Sequence, residues 1–145
     1  MTLPALENLM KVSRGGLKHE PPSQTEIDGL IRSAKRKRQD AAIAGLGEES
    51  RFDLLYNAAH ALALAALRRH GYRSENRYLV FQALAHTVGF PPAKWRVLDR
   101  CHNLRNLAEY EGHFDVDPQL IKELTEVTAA LETAVEAIRR LEAPG

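Results

Sequence analysis

Five stretches of this chain repeat apolar residues at intervals of three and four, and clusters of glycine or proline separate them. Such intervals place side chains on one face of an α-helix, and that face has to be buried against another element. No stretch shows the strict alternation expected of a half-buried strand. The sequence therefore predicts an all-α protein, an up-and-down antiparallel bundle of four main helices with a short N-terminal helix or arm.

The glycines and prolines also predict where the elements begin and end. With 145 residues, of which 44% are hydrophobic, the chain is long enough for one well-buried core and too short to expect two. We expect residues 1–23 to form an arm with a short helix at Leu3–Val12, and residues 24–142 to form the bundle of a single domain. The expected bundle helices start at a cap on Ser23 or Thr25 and end near Gly45, and then span Glu48–His70, Ser74–Val88, Ala93–Gly112 and Pro118–Glu142.

Composition limits the possible partners. The net charge of +1 gives no global reason to expect a nucleic-acid or membrane partner, so any such binding has to come from a local patch. The single cysteine, Cys101, cannot form an internal disulfide, which is typical of a reducing compartment. No apolar run approaches the roughly 20 residues that cross a bilayer. We therefore expect a cytoplasmic protein without a membrane partner.

The usual metal and cofactor motifs are absent from the sequence. There is no CxxC pair, no His-Glu-x-x-His and no EF-hand loop, and Gly15-Gly16 lacks the Walker or dinucleotide pattern. Cys101 and His102 are adjacent, so on a helix their side chains point about 100° apart and make a poor nucleophile pair. We expect neither a metal nor a cofactor, and a core position for Cys101.

The stretch Arg100–His113 holds more polar chemistry than any other window. At about 100° per residue, one arc of this helix is apolar and suits the core. That arc consists of Val97, Cys101, Leu104 and Ala108. The adjoining arc is polar, which suits a pocket lip or a subunit contact. It consists of His102, Arg105, Asn106, Glu109 and Tyr110, and His113 joins it only if the helix continues through Gly112.

The residues from Arg105 to Tyr110, RNLAEY, resemble the signature helix of HEPN domains, which are small helical bundles. Many HEPN proteins carry an arginine followed, after four to six residues, by a histidine, and act as metal-independent ribonucleases, commonly toxins. This chain is similar to the branch written R-x-x-A-(D/E)-Y, in which Tyr110 stands where the histidine usually is. The resemblance extends loosely over the helix arrangement and the segment Phe52–Ala59.

The functional interpretation of the polar arc follows from the chemistry of its side chains. Arg105 would hold a phosphate, Asn106 would orient backbone or ribose groups, and Tyr110 would stack on a base or donate its hydroxyl. Glu109 belongs to the same arc, although its charge would compete with phosphate for Arg105. A tyrosine, with an ordinary pKa of about 10, is a poor general base at neutral pH. The catalytic candidates are therefore Arg105 with an imidazole from His102 or His113.

Three functional hypotheses remain open. The first is an RNA-binding, nucleotide-binding or protein-interaction module of a toxin–antitoxin or defence system, homodimeric, with a degenerate nuclease motif and a nucleotidyltransferase-type partner. The second is an active metal-independent endoribonuclease toxin, and the third is a structural helical adaptor. In the adaptor, Arg105 pairs with Glu109 within the helix, while Asn106 and Tyr110 form hydrogen bonds across the bundle or a dimer seam.

Two further groups of polar residues have two interpretations each. Tyr56 and His60 lie one helical turn apart and could contribute to a site, or could be satisfied at the edge of the core. The run Lys35–Arg38 could bind phosphates. Because four consecutive residues wrap around a helix, a solvated surface with long side chains lying over the core is the simpler interpretation.

Overall fold

The computed structural model describes residues 4–11, 16–112 and 115–141. Within these ranges the chain folds as a helical bundle, which confirms the predicted all-α class. None of the described helices is long and apolar enough to cross a membrane. The elements are α1 (Pro4–Leu9), β1 (Lys18–His19), α2 (Gln24–Ala41), α3 (Glu48–Arg69), β2 (Tyr72–Arg73), α4 (Arg77–Gln82), α5 (Leu84–Thr87), α6 (Pro92–Glu111) and α7 (Pro118–Ala137).

The central element is α3, which packs against α2, α4, α5, α6 and α7. Its small side chains allow this, because an alanine lets a neighbouring backbone approach more closely than a larger residue does. Ala58, Ala59, Ala65 and Ala66 are fully buried. Larger apolar residues from the surrounding helices, such as Leu98 and Leu124, complete the core.

Several helix ends lie where the sequence predicts them. The side chain of Ser23 caps α2 by accepting a hydrogen bond from the backbone N–H of Glu26 at 3.3 Å. Gly71 and Gly112 follow α3 and α6 with φ angles of +85° and +78°. Glycine adopts this left-handed conformation without the steric cost that a Cβ atom brings, so both residues end their helices.

Two helices end earlier than predicted, because distant side chains bind their C-terminal carbonyl groups. Helix α2 ends at Ala41, not near Gly45, and Arg51 donates hydrogen bonds to the carbonyl oxygens of Ala41 and Ile43. Helix α7 ends at Ala137, short of Glu142, which lies outside the described residues. There Arg69 donates to the carbonyl oxygens of Ile138 and Arg140, at 2.9 and 3.1 Å.

The predicted helix Ser74–Val88 is two short helices, α4 and α5, preceded by a strand. Asn76 caps α4 by accepting from the backbone N–H of Leu79, and Ser74 accepts in turn from the N–H of Asn76. These local bonds hold the chain in a turn until Arg77. The expectation of no strand also needs correction, because β2 pairs with β1 from the predicted arm in an antiparallel register.

Candidate functional site

Helix α6 carries the predicted polar arc, and the structure divides it into two parts. His102 and Arg105 are half-buried and contact α3. Asn106 and Glu109 are exposed, and Tyr110 is 95% exposed. The first part therefore belongs to a group of packed side chains, and the second part faces solvent.

Tyr56 of α3 is the residue around which the half-buried part is assembled. Its side chain is buried, and its hydroxyl lies 3.0 Å from Nδ1 of His102. The ring packs beside Phe52 and Phe81. Burial raises the pKa of Tyr56, against the hydrogen bonding and charge of Arg77 and the charge of Arg105. The phenol therefore stays protonated and serves as a hydrogen-bonding group, not as a base.

Arg105 lies over the ring of Tyr56, with its Cζ atom 5.1 Å from the ring centroid. This is the distance of a cation–π contact. Two carboxylates pair with its guanidinium: Asp53 Oδ1 lies 3.4 Å from Nη1, and Glu109 Oε1 lies 3.6 Å from Nε. By contrast, Arg68 in the core reaches Glu26 at 2.5 Å. The two carboxylates therefore hold Arg105 at longer distances than Glu26 holds Arg68, and another anion would compete with them for its guanidinium.

A second guanidinium group, that of Arg77, lies over the same ring with its Cζ atom 5.5 Å from the centroid. It donates a hydrogen bond to Oδ1 of Asn57 at 3.1 Å. Within the described residues no carboxylate lies at ion-pair distance from it. Sequence reasoning missed Arg77. No signal in the sequence marked it, because Arg77 becomes the first residue of α4 only through the turn at Ser74 and Asn76.

His102 is held in one tautomer by its two partners. Nδ2 of Asn106 lies 3.2 Å from Nε2 of His102, and an amide nitrogen can only donate, so Nε2 accepts. Nδ1 then carries the proton and donates to the hydroxyl of Tyr56. Burial lowers the pKa of His102, with Asp99 acting in the opposite direction and Arg77 adding to the effect. The imidazole is therefore neutral at pH 7.

The tautomer of His102 leaves the proton of the Tyr56 hydroxyl without an acceptor. The oxygen of that hydroxyl accepts from Nδ1 of His102, and the guanidinium of Arg77 beside it can only donate. A hydroxyl that already accepts a hydrogen bond directs its own proton elsewhere. The hydroxyl of Tyr56 is therefore a free donor beside the guanidinium groups of Arg77 and Arg105.

His60, one turn after Tyr56 on α3, completes this group. Its ring packs edge-to-face on Phe81, with centroids 6.0 Å apart. Burial lowers the pKa of His60 to about 4, and electrostatic interactions with Arg77, His102 and Arg105 contribute in that order. We call the set of Tyr56, His60, Arg77, His102 and Arg105 the Tyr56 cluster.

Two aromatic residues border the Tyr56 cluster. Tyr78 of α4 is 41% exposed, and its ring centroid lies 6.3 Å from that of His102. Trp95 of α6 packs edge-to-face against Tyr78 at 6.1 Å. Among the residues described, Trp95 Nε1 is a buried polar atom with no hydrogen-bond partner. An exposed aromatic ring therefore lies next to the charged groups.

Cys101 and the basic run of α2 do not join this site. Cys101 is fully buried, and burial raises the pKa of its thiol to about 12, so it is a core residue without nucleophilic character. In the basic run of α2, Lys35 pairs with Glu136 and Arg38 pairs with Glu132 of α7, so their charges are largely neutralised. His113 lies outside the described residues.

The polar arc forms no metal site in the described ranges, which contain no group of three or more histidine, cysteine, aspartate or glutamate side chains that could hold an ion. No protein-family model, curated protein or solved structure matches this chain. What the Tyr56 cluster can do therefore follows from its own side chains. It offers two guanidinium groups, a phenolic donor and two neutral imidazoles, a set suited to an anion.

Proposed function

We propose that this chain is an HEPN-like module that binds RNA or a nucleotide through a phosphate group at the Tyr56 cluster. The observation that carries the proposal is the pair of guanidinium groups, from Arg77 and Arg105, over the ring of one buried tyrosine. The planar guanidinium matches the oxygens of a phosphate by donating two parallel hydrogen bonds. A phosphate would therefore accept from two arginines held by different helices.

The charge balance of the site supports this proposal. Arg77 has no carboxylate partner in the described part of the chain, and the partners of Arg105 lie at 3.4 and 3.6 Å. Half-buried charges without a close partner carry a cost in solvation. An oxyanion would offset that cost, and the hydroxyl of Tyr56 would give it a third donor.

The neighbouring exposed residues fit the remainder of a nucleotide. Asn106 is exposed one turn from His102 and has polar groups for a ribose or backbone oxygen. The rings of Tyr78 and Tyr110 are open to solvent, and base stacking on an aromatic ring tolerates any base. Exposed Glu109 would stand beside the backbone, and its negative charge would weaken the binding of a long anionic strand.

A homodimer is also part of the proposal. It is supported by the resemblance to HEPN domains and by the exposed side of α6. Leu107 is 52% exposed and Tyr110 is 95% exposed on that helix. An apolar side chain and an aromatic ring exposed together suit a contact between two copies of the chain. We propose a cytoplasmic homodimer with α6 near the two-fold axis, acting with a nucleotidyltransferase-type partner in a toxin–antitoxin or defence system.

A second candidate function is the metal-independent endoribonuclease. One observation favours it, namely that His102 donates to Tyr56 while Arg105 lies over the same ring. The imidazole and the guanidinium that such an enzyme needs are therefore neighbours. However, Nε2 of His102 already accepts a hydrogen bond from Asn106, so this imidazole cannot take a proton without losing that bond.

Binding of a fluorescein-labelled single-stranded RNA tests the proposal. We expect Arg77→Gln and Arg105→Gln each to weaken binding roughly tenfold, the size of one charge-assisted hydrogen bond, and to lower the salt dependence. Arg100→Gln is the matched control, because it makes the same charge change on α6 at a side chain that pairs with Glu123 of α7. Equal binding by all three variants, or no binding by the wild type, would favour the structural adaptor.

A further inference from the structure

His60 is the member of the Tyr56 cluster whose polar atoms are unused. Arg77 bonds to Asn57, Arg105 lies near Asp53, and His102 bonds to Tyr56 and Asn106. No hydrogen bond joins either ring nitrogen of His60 to another group among the described residues. Its imidazole therefore keeps a free lone pair beside the positive groups of the site.

His102 is not equivalent to His60 as a proton acceptor. Protonation of His102 would place an N–H at Nε2, facing the amide nitrogen of Asn106 at 3.2 Å, so the exposed amide would have to turn its oxygen towards the ring. His60 has no such partner. Uptake of a proton at His60 therefore breaks no hydrogen bond among the described residues.

Burial is the largest reason that His60 is neutral in the free protein. Electrostatic interactions with Arg77 from α4 and with His102 and Arg105 from α6 also disfavour a positive imidazole. Tyr56, on the same helix, is a neutral phenol. A bound anion would cancel the repulsion from the two arginines and add an attraction.

We propose that His60 takes up a proton when a phosphate group binds to Arg77 and Arg105, so that the Tyr56 cluster binds phosphate-type oxyanions more tightly as the pH falls. This inference rests on the proposed function and adds that pH regulates the binding of the phosphate group. The imidazole gains a proton from solvent at one ring nitrogen, and no covalent bond changes. His60 then acts as a specificity residue that favours anions of higher charge.

The pH range over which anion affinity changes follows from the pKa of His60 in the free protein and in the complex. In the free protein the pKa of His60 is about 4, so below that pH both states carry the proton and affinity no longer changes. Between about pH 4 and the higher pKa of the complex, only the complex carries the proton. There the affinity rises by up to about tenfold for each unit of falling pH.

Sulfate is a suitable probe, because it is a tetrahedral oxyanion that stays dianionic from about pH 5 to about pH 8, whereas phosphate itself titrates in that range. The wild-type protein is titrated with sodium sulfate, and the imidazole resonances are followed by NMR. We expect sulfate to shift the resonances of His60 towards the protonated imidazole and to bind more tightly at low pH. In His60→Gln the affinity should vary by less than about twofold over the same range.

Two further variants separate this inference from its alternatives. His86→Gln removes an exposed imidazole on α5 and should leave the pH dependence of sulfate binding unchanged. Arg77→Gln, without sulfate, should raise the pKa of His60, because it removes a positive charge that acts on the imidazole. An unchanged pKa of His60 in Arg77→Gln would contradict the electrostatic premise.

The outcomes also distinguish this inference from the proposed function. If RNA and sulfate bind in a manner that depends on Arg77 and Arg105 while His60 stays neutral, the proposed function stands and the proton linkage is wrong. The same conclusion follows if His60→Gln keeps the pH dependence of the wild type. If neither sulfate nor RNA binds the wild type at any pH, both proposals are wrong.

Discussion

The hydroxyl of Tyr56 and Nδ1 of His102 lie 3.0 Å apart, and their hydrogen bond joins α3 to α6 at the centre of the candidate site. The Cζ atoms of Arg77 and Arg105 lie 5.5 and 5.1 Å from the ring centroid of the same tyrosine. Tyr56 thus contributes in two separable ways, by its hydroxyl and by its ring. A phenylalanine keeps the ring and removes only the hydroxyl.

We therefore expect Tyr56→Phe to lower the free energy of unfolding by about 1 kcal/mol, the typical net contribution of one hydrogen bond. Its RNA affinity should fall less than that of Arg105→Gln, because the ring under both arginines remains. Urea denaturation and RNA titration measure the two effects. Tyr110→Phe is the control, since Tyr110 is 95% exposed and should change stability by less than about 0.5 kcal/mol. Equal stability of Tyr56→Phe and wild type would show that the bond contributes nothing.

Arg68 forms a buried ion pair away from the site, and it predicts a strong effect on stability. The residue is 1% exposed, and its Nε donates to Glu26 at 2.5 Å. The same guanidinium donates to the carbonyl oxygens of Glu20, Pro21 and Tyr72. Arg68→Ala leaves these groups without their partner, so we expect a loss of about 3–5 kcal/mol in thermal or urea unfolding. A loss no larger than that of a surface substitution would contradict this.

The same ion pair makes stability depend on acid pH. Burial would raise the pKa of Glu26, but the hydrogen bonds and charges of Arg68 and Arg73 outweigh it and lower the pKa below its usual 4.5. The native state therefore holds the charged carboxylate more strongly than the unfolded state does. This stability is present above about pH 4.5 and is lost as the pH falls through the lowered pKa. Glu26→Gln should flatten this part of the stability curve, whereas Glu126→Gln, at an exposed position of α7, should not.

The lowered pKa of His60 predicts a second pH dependence of stability, at a higher pH than that of Glu26. Its pKa is about 4 in the folded protein and 6.5 ordinarily, so between these values only the unfolded state binds the proton. Stability therefore falls as the pH drops from about 6.5 to about 4, by up to about 3 kcal/mol. His60→Gln should remove this slope in urea unfolding measured across the range, and His86→Gln should keep it. A slope unchanged in His60→Gln would mean that other groups cause it.

Helical periodicity predicted the parts of the fold that local sequence determines. Helices α3 and α6 lie within one residue of the expected spans, because glycines and prolines mark their ends. The ends of α2 and α7 were wrong, because Arg51 and Arg69 bind their carbonyl groups from other elements. Spacing along the chain carries no information about such contacts. The pairing of β1 with β2 joins segments about 50 residues apart and was missed for the same reason.

The candidate site was likewise predictable only in part from helical spacing. The helical spacing of His102 and Arg105 placed them on one arc, and the structure brings both to Tyr56. Arg77 could not be found in this way, since it comes from α4, whose start depends on the turn at Ser74 and Asn76. His60 was visible as a neighbour of Tyr56 in sequence. Its role beside two arginines follows only from the packing of three helices.

The last prediction concerns catalysis. Metal-independent RNA cleavage needs a base for the 2′-hydroxyl proton and a group that stabilises charge on the phosphate. Arg77 and Arg105 can supply only the second. At His102, Nε2 is occupied by Asn106, and His60, with a pKa of about 4, is a weak base at pH 7. Since acid–base catalysis typically contributes about 10²–10⁴-fold, we expect negligible turnover by the purified protein.

The measurement is cleavage of labelled RNA in the presence of a chelator, with the wild type compared to a blank. Robust cleavage that vanishes in Arg105→Ala, and in either His102→Gln or His113→Ala, would contradict the prediction and favour the endoribonuclease. The control is Lys37→Ala, because Lys37 lies on α2 and bonds to Ser33 at 2.6 Å, outside the Tyr56 cluster. Activity lost equally in Lys37→Ala would point instead to a general effect on the fold. RNA binding without cleavage, weakened in Arg105→Ala alone, is the result expected of a binding module.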